Sequence, residues 1–517
     1  MKKEVPGPAP ASRRRPARWT TSMVRVAAVL LSTTPALFAQ FGPAPKPVTV
    51  IQGGTVHVGN GDVIENGTVI VRGSRIEAVG KSLSAPEGAT VVDASGMHVY
   101  PGLIDAGSTL LLDSAVRSGE GNVVASIVDA LDPFDVDDLE AALRGGVTTV
   151  GVSSRRGLLD GRGAALKLKP RAPIADLLLR KDGAVAVTFG LNGDRPSMRL
   201  REWKSFADQL QATRKYVESW DDYKEKLEEY KKELEKAKEE SESKKPPEQA
   251  GKKESPAPAP APESKEPKPE EKKEEGGPTP RRGPRRRPGG SLIALLQELA
   301  QERTDPRSFA EGPQGGPPQQ QPAGDEKKDE GPKKPPRPAL EPQREVLRQV
   351  LEGKASFNVY VDHASDLTNL FELARQYHFR YAVTGGREAA HVARELAAAG
   401  VQVVVVQPHD LGSDALSTAA ELDLAGVAVV LTTAGSSGAS TRHLSLSAAA
   451  AIAGGMDPEH ALAAITSRAA LLLQVADRIG TLEAGKDADV VITRGELFSS
   501  SAIVERVLVD GAPVAVR

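Results

Sequence analysis

Two short stretches set a histidine beside a carboxylate: Asp362–His363 in "VYVDHASD" and His409–Asp410 in "VVQPHDLG". Histidine changes charge between pH 5 and 8, and with a carboxylate near it can take a proton from water or a hydroxyl. Both pairs follow apolar, β-branched runs, so each stands where a strand is expected to end. Neighbours in an extended chain point to opposite faces, so adjacency alone does not make a working pair. There are eight histidines in all. His57 and His98 fall in β-patterned sequence, His378 and His391 in helix-like stretches, and His443 and His460 at loops or helix starts. The chain has 0 cysteines, which excludes disulfides, cysteine nucleophiles and thiolate metal sites together. No glycine-rich nucleotide fingerprint, Ser-His-Asp order or zinc helix motif occurs.

The elements that must hold these residues follow from periodicity. From Val48 to Val99, "TVIVRGSRIEAVG" and "GATVVDASGMHVYPGLID" alternate apolar and polar residues between turn-formers, which predicts short strands. "KDADVVITRG" and "SAIVERVLVDGAPVAV" near the other end have the same texture. Between them, "DPFDVDDLEAALRGGVTTVGVSS" reads as helix, Gly-Gly stop and strand. "KASFNVYVDHASDLTNLFELARQYHFRYAVTGGREAAHVARELAAAGVQVVVVQ" then alternates strand and helix. Short apolar strands separated by amphipathic helices predict a parallel sheet covered by helices, either a (β/α) barrel or a doubly wound sheet. Pro101-Gly102 separates the first β region from the first strand of that sheet.

With 517 residues the chain can hold one large domain and a smaller one. A net charge of -2 argues against a protein dedicated to nucleic acid. Aromatics make up only 4%, so the core must rest on Val, Leu, Ile and Ala. From 205 to 345 the alternation is interrupted. "DDYKEKLEEYKKELEKAKEESESKK" is a charged helix former rich in Glu-Lys pairs. The Pro, Glu, Lys, Arg, Gln and Gly tracts that follow cannot bury enough apolar surface to offset their ordering entropy. "SLIALLQELAQE" at 291–302 is their one apolar island, and the arginines from Arg281 to Arg287 offer a tether to an anionic surface. At the start, Arg13, Arg14, Arg15, Arg18 and Arg25 precede the apolar run 26–31 and "TTPALFAQ". This is the order of a secretory signal cleaved after Ala39, which predicts export to the periplasm or beyond. No other segment reads as transmembrane.

Three stretches carry a family resemblance: "VVDASGMHVYPGLIDA", "GVTTVGV" and "DRIGTLEAGKDADVVI" at 477–492, with "GMDPEHALAAITSRAALLL" before the last. On these the chain resembles the amidohydrolase superfamily, in its imidazolonepropionase-like branch. The resemblance implies an α/β fold, a (β/α)8-type TIM barrel with a small β-sandwich domain built from both chain ends. The implied order is signal peptide 1–39, sandwich 40–103, barrel 104–204, insertion 205–345, barrel 346–474 and sandwich 475–517. It also implies a divalent metal held by two His after the first strand, His after the fifth and sixth, and Asp after the eighth. This sequence departs from that set. Gly107 and Thr109 stand at the first-strand clamp, Gly385-Gly386 after the sixth strand and Ala434 or Gly435 after the last, while His363 beside Asp362 is retained after the fifth. Some members carry a modifiable lysine on a strand similar to that of Lys167 and Lys169, but a lysine at a strand edge is ordinarily solvated. No metal or other cofactor is therefore expected, and Asp362, His363, His409 and Asp410 are the candidate catalytic residues.

Two readings of function follow. One is a hydrolase of non-peptide C–N bonds with a rebuilt site. The other is a catalytically inactive barrel that binds a small molecule or protein partner, and fold alone does not choose between them.

Overall fold

The computed structural model describes residues 46–112, 121–191, 193, 195–243, 333–401, 404–406 and 413–514. The expected signal sequence 1–39, the segment 244–332 of the expected insertion, and His409 and Asp410 lie outside the described residues. Among the described residues no helix is long and apolar enough to cross a membrane.

The alternating N-terminal sequence forms β1 (Val48–His57), β2 (Val63–Arg72), β3 (Arg75–Lys81), β4 (Thr90–Asp93) and β5 (His98–Pro101). After Gly102 the chain enters β6 (Leu103–Ser108) and, past α1 (Val136–Arg144), β7 (Val147–Val152). Asp135 caps α1 by accepting the N–H of Asp138, and Leu139, Ala142 and Leu143 bury one face of that helix against the strands. Strands β6 and β7 pair in parallel.

The next step breaks the βα rhythm. β8 (Leu159–Arg162) and β9 (Ala164–Lys167) are separated only by Gly163 and form one extended stretch. It follows β7 after the short loop 153–158, and a parallel crossover needs about a dozen residues or more. The stretch therefore runs antiparallel, β9 beside β7 and β8 beside β11 (Val185–Thr188), with β10 (Leu178–Arg180) on the edge of β9. From β11 the sheet is parallel again through β12 (Phe357–Val361), β13 (Tyr381–Gly385), β14 (Val404–Val406) and β15 (Val429–Leu431). With β8 and β9 counted as one, the walk β6, β7, β9/β8, β11 to β15 visits eight positions, and β15 returns to lie against β6.

Helices cover the outside of this barrel. The cover includes the head of α2 (Pro196–Ser243, 48 residues), α3 (Pro342–Leu351), α4 (Ala364–Tyr377), α5 (Ala393–Ala398), α6 (Ser413–Leu424), α7 (Leu444–Ala453) and α8 (Pro458–Ala464), and α9 (Ser467–Leu472) follows. The expected boundary at 205 falls inside α2. Its first turns bury Trp203, Phe206, Leu210 and Thr213 at helical spacing, and Phe206 meets Phe357 and Phe379 edge-on. The compact unit accordingly continues to Tyr223 and resumes at Arg337. Charge density hid the apolar stripe in the head of this helix.

The other face of the barrel strands gathers Ile104, Ala106, Ala165, Ala382 and Val430 around Ala469, Ala470, Val475 and Ile479. Ile104 and Ala382 stand second in their strands and Ala106 and Val430 nearer the middle, so α9 and the residues after it fill the barrel below its upper rim. Among the described residues a cavity of about 40 Å³ is lined by residues such as Ala106, Ala165, Asn358 and Leu473.

The chain closes with β16 (Val490–Arg494), β17 (Ile503–Val509) and β18 (Ala512–Val514). β16 pairs antiparallel with β5, from Val490 opposite Pro101 to Thr493 opposite His98. Both chain ends therefore share one eight-stranded sheet, ordered β18-β17-β16-β5-β1-β2-β3 with β4 also on β1. The strands join edge to edge rather than as two separately paired sheets.

Candidate active site

The upper end of the barrel, where the parallel strands finish, is the place where such folds carry chemistry. His363 is the first residue past Asp362 at the end of β12 and the N-cap of α4, in extended conformation. Its Nδ1 lies 3.2 Å from Oε1 of Glu388, which comes from the turn after β13. The other carboxylate oxygen of Glu388 accepts the N–H of Ala364 at 2.9 Å. That backbone bond, and then His363, hold the Glu388 carboxyl below its ordinary range. One acid thus fixes both the helix start and the imidazole.

The neighbouring Asp362 carboxylate faces other partners. It takes the Tyr360 hydroxyl and lies 3.4 Å from the N–H of Arg387. Gly385, at φ +95, lets the chain turn here, and a Cβ on it would come within 2.7 Å of Oδ1 of Asp362. The carboxylate set against Nδ1 of His363 is therefore Glu388, a residue the sequence reading did not single out. Its only local signal is the Gly385-Gly386 break two residues ahead. His409 and Asp410, the other candidate pair, lie outside the described residues.

Arg155 lies over the Tyr360 ring, its guanidinium carbon 4.7 Å from the ring centre. Burial raises the Tyr360 pKa, and the Asp362 charge adds to it. The loop bearing Arg155 is pinned by buried Asp160, which accepts Ser154 Oγ at 2.6 Å, the N–H of Arg156 at 2.9 Å and the N–H of Gly161 at 2.8 Å. Burial alone would raise the Asp160 pKa, but these bonds outweigh it and hold the carboxyl below its usual value. Below Tyr360 the strands offer Asn358 bonded to Thr384.

A zinc-type centre needs imidazole, thiolate or carboxylate donors converging at about 2.0–2.3 Å. Among the described residues no three His, Cys, Asp or Glu side chains stand close enough to hold a metal. The end of β6 presents Gly107 and Ser108, the end of β13 Gly385 and Gly386, and the turn after β15 Thr432, Thr433, Ala434 and Gly435. Neutral hydroxyls and peptide groups do not fit such a centre.

Lys167 corrects the sequence expectation of a solvated lysine. Because its strand runs antiparallel, it sits at the lower end, 1% exposed, away from the rim. Its ammonium bridges Asp487 at 2.8 Å, Asp489 at 3.1 Å and Asp510. Burial disfavours its charge, but Asp489, Asp487 and Asp510 outweigh that and raise its pKa. Arg75 and Arg478 hold Asp487 from the sides, each at 2.8 Å. This cluster fastens the last strands to the barrel floor.

The sequence model of the amidohydrolase family matches residues 340–514. A dihydroorotase from Lactobacillus johnsonii is 36% identical over 110 residues, which is 20% of each chain. The chain thus matches about a fifth of that relative's length. The crystal structure of an amidohydrolase from Thermotoga maritima superposes with a TM-score of 0.61 at 21% identity, covering 91% of this chain and 100% of the other. At that identity the likeness is one of fold.

Proposed function

Because the chain belongs to the amidohydrolase superfamily, we propose that it is a hydrolase of non-peptide C–N bonds whose general base is His363, oriented by Glu388. The observation that carries this reading is the 3.2 Å contact between His363 and Glu388 at the end of a barrel strand. With Nδ1–H donated to the carboxylate, Nε2 accepts a proton from water as the water oxygen attacks the carbonyl carbon. The guanidinium of Arg155, over the Tyr360 ring, is a cationic group that would meet the developing oxyanion. The imidazolium then returns its proton to the departing nitrogen as the C–N bond breaks. The branch we favour is the imidazolonepropionase-like one, on the junction sequences quoted above.

The test is turnover by the purified full chain on a panel of lactams, cyclic imides, N-acyl amino acids and dipeptides. His363→Ala should lower kcat/KM about 10²–10⁴-fold and Glu388→Gln less. Turnover that survives His363→Ala would refute the assignment. A catalytically inactive barrel that binds a small molecule or protein is the second reading, and the glycines at the strand ends favour it. Saturable ligand binding with no turnover on the panel would select it.

We also propose export, on the basic, apolar and small-residue order of residues 13–39. Mature protein recovered outside the cytoplasm should begin at Gln40. Retention of the full chain with Met1 intact inside the cell would refute it.

A further inference from the structure

The strand ends where a first-strand metal clamp would stand are crowded by other contacts. We propose that a hydrogen-bonded pin built on Asp105, Thr432 and Thr433 joins the first and last barrel strands in this chain, and that it fills the space a metal-binding side chain at position 107 would need. The pin is independent of whether the rim turns over a substrate.

Three observations lead there. First, β6 and β15 stand at the free ends of two different sheets and share no ladder, so something other than strand pairing must close the barrel. Side chains and turn atoms do it. The hydroxyls of Thr432 and Thr433 both donate to Asp105, and the N–H of Thr433 lies 3.3 Å from it. Ser108 Oγ and the N–H of Thr109 each donate to the carbonyl of Gly435 at 2.9 Å.

Second, Asp105 is fully buried, and the groups that act on it are hydrogen-bond donors rather than a cation. A buried carboxyl without a cation is expensive unless hydrogen bonds satisfy it. The two threonines and the N–H of Gly107 supply those bonds, while burial pushes its pKa up. The arrangement also sustains a left-handed Ala434 at φ +46, whose N–H bonds Thr432 Oγ1 at 3.1 Å.

Third, a Cβ on Gly107 would lie 2.8 Å from Thr432 Oγ1, 3.1 Å from its Cγ2 and 3.2 Å from its Cβ. Thr432 is fully buried and its hydroxyl is engaged, so it cannot swing away without breaking the pin. Position 107 is therefore closed to a ligand side chain by the same residue that closes the barrel.

The experiment is thermal melting of the full chain with chelator, with zinc and with pin variants. Chelator or zinc should move the wild-type Tm by less than about 1 °C, whereas Thr432→Val should lower it by about 3–8 °C. Thr432→Ser, which keeps the hydroxyl, should recover most of that loss. Gly107→His should destabilise and retain no stoichiometric zinc by elemental mass spectrometry. A chelator-induced drop as large as that of Thr432→Val would overturn the proposal. So would an unchanged Tm in Thr432→Val, or a stable Gly107→His chain that binds one zinc. If Thr432→Val does not fold, the chelator arm on wild type and the serine variant still decide.

Discussion

The two ends of the barrel use polar residues in opposite ways. At the lower end Lys167, Asp487 and Asp489 are packed out of water, with Asp510 partly exposed and Arg75 and Arg478 at the margin. At the upper end His363, Glu388, Asp362 and Arg155 are partly exposed, with His363 against Glu388, Asp362 near the Arg387 N–H and Arg155 over Tyr360. The lower cluster holds the more unusual charges, yet every one of its carboxylates is committed to fastening the last strands to the barrel. The upper groups are ordinary in charge but placed where a substrate can reach them. Perturbed burial marks architecture here, and position at strand ends marks candidate chemistry.

The sharpest way to break this contrast is to remove the lower cation. Lys167→Met leaves buried Asp487 and Asp489 and partly exposed Asp510 around a methyl group and should cost about 3–5 kcal/mol of stability, read by urea unfolding at neutral pH. Activity per folded molecule should stay at the wild-type level. A loss below about 1 kcal/mol would mean that Arg75, Arg478 and Lys169 carry the cluster without it.

His363→Ala should give the converse pattern. Its ring is partly exposed and at the rim, so stability should change by about 0.5 kcal/mol or less while turnover falls. A variant that lost both together would place His363 with the architectural residues, and the distinction between the two ends would fail.

At both ends the strands were written in the sequence and most of the side-chain partnerships were not. The alternating strands near both termini, the Pro101-Gly102 break and the strand ending just before Asp362 are local patterns, and each appears where periodicity places it. The antiparallel third strand was signalled only by the short "SSRRGL" loop, which is too brief for a crossover helix. Lys167 read as solvated because its partners Asp487, Asp489 and Asp510 are more than 300 positions away. Glu388 lies 25 residues from His363, and nothing local ties the two. The pin between Asp105 and Thr432 spans 327 positions. In each case the missing information was a long-range contact, which single-residue types and short spacings do not encode.

The smallest expected effect separates the loop that carries Arg155 from both ends. Asp160 is a buried carboxylate, like Asp487 and Asp489 on the barrel floor, but its partners are Ser154 and the N–H groups of Arg156, Gly161 and Asn122, with Arg156 as the charge paired with it among the described residues. Its folded pKa is depressed below an unfolded value of about 3.9. The ionised group therefore stabilises the fold above that pH, and the contribution is lost as pH falls through the folded value. Asp160→Asn should cost about 1–2 kcal/mol at neutral pH. The gap from wild type should narrow toward about pH 3, because only the wild type loses this term on acidification. Urea midpoints at the two pH values measure the difference. A gap that widens in acid would mean that Asp160 is protonated in the folded loop. The hydrogen bonds that position Arg155 would then have to be reassigned to a neutral carboxyl.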